Sequence, residues 1–109
     1  LIIDMPQALD YVIFDADGAK LHSLKYPAAD EPVIYPGTTD VIIVLGTWER
    51  GMLCKDVVFR YALMQKELGT AEDAVVDDSV IDMLRQVYVR KLRDSGFEGR
   101  ILSCLAKNC

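Results

Sequence analysis

Histidine occurs once in this 109-residue chain, tryptophan once and cysteine three times. The lone His22 stands in a polar stretch and reads as a solvated side chain rather than a catalytic base. Cys54, Cys104 and Cys109 are odd in number and have no paired spacing, which argues against a disulfide framework and against a zinc site and points to a reducing compartment. No apolar run is longer than Val41–Leu45, far short of the roughly eighteen residues that cross a bilayer, and no basic-then-apolar leader opens the sequence. A cytoplasmic protein with no membrane partner is expected. Basic residues are in the minority, 12 Lys and Arg against 17 Asp and Glu for a net charge of -5. They are scattered, with the densest group (Arg85, Arg90, Lys91 and Arg93) on a helical stretch, so no nucleic-acid surface is expected.

What is present is a globular composition, 51% hydrophobic and 27% charged. The length suits a single α/β domain over residues 1–109. The first residue is Leu1 rather than methionine, so an excised or incomplete piece of something longer is expected, which the family resemblance below would make the C-terminal part of a larger domain. Within it the most informative stretch is Asp10–Lys20, DYVIFDADGAK. Tyr11, Val12, Ile13 and Phe14 are β-branched or aromatic and give way at once to Asp and Gly, the signature of a buried strand ending in a polar turn. Asp15 and Asp17 then lie at the strand's C-terminal end, the rim at which open α/β sheets bind ligands. Two convergent carboxylates suit Mg²⁺ or proton transfer. An Asp-Gly pair after a strand is also an ordinary turn.

Leu1–Ile3 is a short apolar opening, an edge strand or the end of an element that begins earlier. Residues 16–40 hold Pro27, Pro32 and Pro36 and show no sustained period, although Pro32–Tyr35 suits a short extended piece. A connection this long inside a compact domain tends to be functional. Val41–Leu45 is a second buried strand. Gly46 and Gly51 follow at phosphate-loop spacing, but Met52 and Leu53 occupy the positions of the required Lys and hydroxyl residue, so this is not a P-loop. From about Asp56 a helix is expected, with Val57, Tyr61, Met64 and Leu68 on one stripe and Gly69 as its stop. Thr70–Asp73 and Ser79–Asp82 each have the form of a capping box; the second heads a helix carrying Ile81, Leu84, Tyr88 and Leu92 on one face and ending at Gly96. Arg100–Ala106 reads as a third main strand in which Cys104 packs as a small apolar residue. Trp48, after a strand end, suits a lid or a rim. This order of elements is that of an α/β domain with a largely parallel sheet.

The run from Ala16 to Gly46 carries ADGAK, then Leu24-Lys25 and Pro27, then Glu31-Pro32-Val33-Ile34. In these residues the chain resembles the YqeC family, accessory proteins associated with selenium-dependent molybdenum hydroxylases. The dense part of the resemblance covers about thirty residues, with Asp15 where Glu is expected and Leu21 and Ser23 where Gly and Pro are common. The resemblance implies a P-loop NTPase-like three-layer α/β fold, here an incomplete piece lacking the P-loop, with the Asp15 strand in the Walker B position. It further implies Asp15 and Asp17 as catalytic and Mg²⁺-side carboxylates, Gly18 for the turn, and Lys20, Lys25 and Glu31 lining a nucleotide site. The implied cofactors are Mg²⁺ and a nucleotide, together with an unspecified selenium species, and the implied partner is the molybdenum hydroxylase maturation machinery.

Two other readings compete. VIFDADG resembles the first motif of haloacid-dehalogenase-like phosphatases, with Asp15 as nucleophile and Asp17 as general acid. Thr47 would then bind phosphate, Lys66 neutralise charge and Asp77-Asp78 hold Mg²⁺, although Ala19 lacks the usual hydroxyl and Asp77-Asp78-Ser79 also reads as a helix start. In a non-catalytic interaction module, the proline-bearing loop docks a partner and the aspartates only shape a turn.

Overall fold

The computed structural model describes residues 24–30, 34 and 36–106. The expected strand Tyr11–Asp15, the opening Leu1–Ile3, His22, Cys109 and most of Pro32–Tyr35 lie outside the described residues. In chain order the elements are β1 (Leu24–Lys25), β2 (Asp40–Gly46), α1 (Cys54–Val57), β3 (Val58–Phe59), α2 (Tyr61–Leu68), α3 (Asp78–Asp94) and β4 (Arg100–Ala106). Among the described residues the strands associate as two parallel pairs, β1 with β3 and β2 with β4, so the mixed α/β class and the parallel pairing expected from the element order are both observed.

α3 is the organiser. Asp77 caps it, its carboxylate accepting from the Val80 backbone N–H at 2.9 Å, so the cap lies two residues before the Ser79 that the sequence pattern offered. Ile81, Leu84, Tyr88 and Leu92 are buried along one stripe, joined by Val87, each large apolar side chain contributing roughly 1.5–3 kcal/mol when covered. This stripe packs on β2, where the alternation of a strand puts Ile43 and Leu45 into the core. Ile42 and Val44 on the opposite face are each 61% exposed. The VIIVL run is thus covered on one face only, whereas its continuous apolar character predicts burial on both.

β4 joins β2 from Asp40↔Arg100 to Gly46↔Ala106. Arg100 donates to both carboxylate oxygens of Asp40 at the start, and the Thr47 backbone N–H and hydroxyl both donate to the Ala106 carbonyl at the end. Gly99 permits the approach, since a β-carbon there would collide with the Thr39 carbonyl that receives the Arg100 N–H. Cys104 is in this strand but exposed, a correction to its expected packing role: it shares the face of β2 and β4 that carries Val44.

One helix expectation is corrected. The helix expected from about Asp56 is cut into α1 and α2, because Val58 and Phe59 leave helical geometry to pair with β1; the β-branched and aromatic run Val57-Val58-Phe59 suits a strand better than a helix interior. The helix resumes after Arg60 and ends at Gly69, φ 69°, a left-handed C-terminal residue that glycine adopts freely. No helix follows Thr70. Residues 74–76 instead run alongside 51–54, with Cys54 N–H donating to Ala74 O, Gly51 N–H to Val76 O and Val76 N–H to Met52 O, each within 2.9 Å.

Candidate functional site

Of the residues expected at the site, Asp15, Asp17, Gly18, Lys20 and Glu31 lie outside the described residues. Lys25 is described, and its setting is unusual for a lysine. It belongs to β1 and is only 6% exposed. β1 and β3 pair as Leu24↔Val58 and Lys25↔Phe59, and the Tyr26 N–H extends the ladder to the Phe59 carbonyl at 2.9 Å. In a parallel pair, residues in register point to the same face. Leu24 and Val58 enter the core together, and Lys25 and Phe59 share the other face, with the Lys25 ammonium 5.6 Å from the Phe59 ring centroid. That distance gives a cation–π contact.

Two flanking contacts fix this short strand against α3. The Tyr88 hydroxyl donates to the Lys25 carbonyl at 3.2 Å, and the Lys91 ammonium donates to Ala28 O at 3.3 Å. Tyr26 is fully buried, its hydroxyl donating to Glu67 Oε1 at 2.7 Å. Burial first, and then this bond to a carboxylate, push its pKa up to about 12, with Arg90 opposing. Arg60 follows β3 with its guanidinium carbon 4.8 Å from the same Phe59 ring. The rim at the C-terminal ends of β1 and β3 therefore holds Lys25, Arg60 and Phe59, on a base clamped by Tyr26–Glu67 and Tyr88. Neither Phe59 nor Arg60 stood out in the sequence, where Val57-Val58-Phe59 inside an apparent helical stripe was the available signal.

The residues of the phosphatase reading have other occupations. The Thr47 hydroxyl closes the β2–β4 ladder, Lys66 is exposed on α2, Asp77 caps α3 and accepts from Ser79 at 2.6 Å, and Asp78 pairs with Arg50 at 2.7 Å. Trp48 is 46% exposed, a rim position. A groove of about 360 Å³ runs between α3 and β4 over Leu45, Ile81 and Leu105. Its rim cations Arg50 and Arg85 are each paired with an aspartate, Asp78 and Asp82, so it presents balanced charge rather than an anion site. Among the described residues no group of three or more His, Cys, Asp or Glu side chains is placed to hold a metal ion, and no helix is long and apolar enough to cross a membrane.

Comparison with known families matches residues 2–62 to the family described as YqeC protein. The match takes in DYVIFDADGAK, β1, β2, α1, β3 and Arg60. No curated protein and no solved structure matches the chain.

Proposed function

Since this chain belongs to the YqeC family, we propose that it is an accessory factor in the maturation of a selenium-dependent molybdenum hydroxylase, working through a nucleotide-and-Mg²⁺ site at the exit of the Asp15 strand. The observation that carries this reading is the family match itself, whose range, residues 2–62, includes Asp15, Asp17, Gly18, Lys20, Lys25 and Glu31. Lys25 supports it: a lysine held almost wholly buried near the C-terminal end of a parallel strand pair is where ligand-binding residues of α/β folds collect. In this proposal Asp15 and Asp17 hold Mg²⁺, Gly18 allows the turn, and Lys20, Lys25 and Glu31 line the nucleotide. When bound, Mg²⁺ supplies charge neutralisation of the phosphates. The P-loop NTPase-like topology belongs to the same proposal.

The test is isothermal titration of Mg-ATP and Mg-GTP into the protein expressed from its full reading frame, with Asp17→Asn beside the wild type. Wild-type binding weakened at least tenfold by the substitution is the expected result. Equal binding by both proteins removes the site. In cells, loss of the gene is expected to lower the activity of a selenium-dependent molybdenum hydroxylase at unchanged levels of its polypeptide.

A further inference from the structure

We draw no further inference here: the strongest candidate, the exposed apolar face of the β2–β4 pair that carries Ile42, Val44, Leu102 and Cys104, carries nothing because nothing in the structure shows what covers it.

Discussion

At the residue scale, the energetically distinctive group is Tyr26. It is fully buried, which for a phenol is tolerable only when the hydroxyl finds a partner, and Glu67 provides one at 2.7 Å. Burial disfavours the phenolate, and a neighbouring carboxylate disfavours it again, so the pKa rises from the usual 10 to about 12. The folded state thus holds the neutral phenol more firmly than the unfolded state does. The associated stability is whole below pH 10, where both states are protonated, and drains away as pH rises from 10 toward 12. Absorbance titration at 295 nm is expected to show a phenol ionising near 12 in the wild type. Tyr26→Phe, which preserves the packing, should abolish that ionisation and cost about 1 kcal/mol, the ordinary net value of one hydrogen bond. If the high-pH phenol survives the substitution, it belongs to another tyrosine.

At the element scale, α3 depends on its first turn. Asp77 accepts from Val80 N–H and from the Ser79 hydroxyl, and these bonds, Ser79's first, hold its carboxyl below the usual range. A depressed carboxyl contributes fully above its unfolded pKa near 4, and that contribution is lost progressively as pH falls from there through its lower folded-state pKa. Asp77→Ala is expected to lower the melting temperature at pH 7. Asp77→Asn, which still accepts from Val80, should retain most of it but lose the dependence on pH between 5 and 3; thermal melts across that interval check both. α3 was legible in the sequence because Ile81, Leu84, Tyr88 and Leu92 recur at helical spacing over several turns, and β2 and β4 because apolar runs bounded by polar and glycine residues admit few readings. β1 and β3 were not. A strand of two residues has no period, and Val58-Phe59 leaves the helical pattern only because β1 supplies hydrogen-bond partners from more than thirty residues away. The site shares this limit: Lys25 was named through family resemblance, whereas the left-handed turn that turns Arg60 onto Phe59 is imposed by tertiary pairing and leaves no local trace.

At the scale of the whole molecule, among the described residues the two parallel pairs share no ladder with each other, and two-stranded parallel sheets are not expected to stand alone in water. α3 connects them. One stretch of its surface packs on β2, while Tyr88 and Lys91 reach β1 and Ala28 across 63 residues of sequence. A single set of buried side chains runs through all of this: Leu24, Tyr26, Ile43, Leu45, Cys54, Met64 and Leu84 belong to one cluster. Elements that share one core and lack separate ones unfold together. Two probes sit at suitable ends: Trp48, just beyond β2, through its fluorescence, and the buried thiol of Cys54 through its protection from labelling, its pKa raised by burial first and by Asp77 second. Chemical denaturation followed by tryptophan fluorescence and by Cys54 labelling, in a Cys104→Ser and Cys109→Ser background, is expected to give coincident midpoints. Leu84→Ala, removing a fully buried side chain from the stripe that touches both sheets, should cost about 2–5 kcal/mol and move both midpoints by the same amount. Midpoints that separate, or a Leu84→Ala shift seen by one probe alone, would mean that the β1–β3 and β2–β4 halves are stabilised independently and that α3 rests on one of them without coupling it to the other.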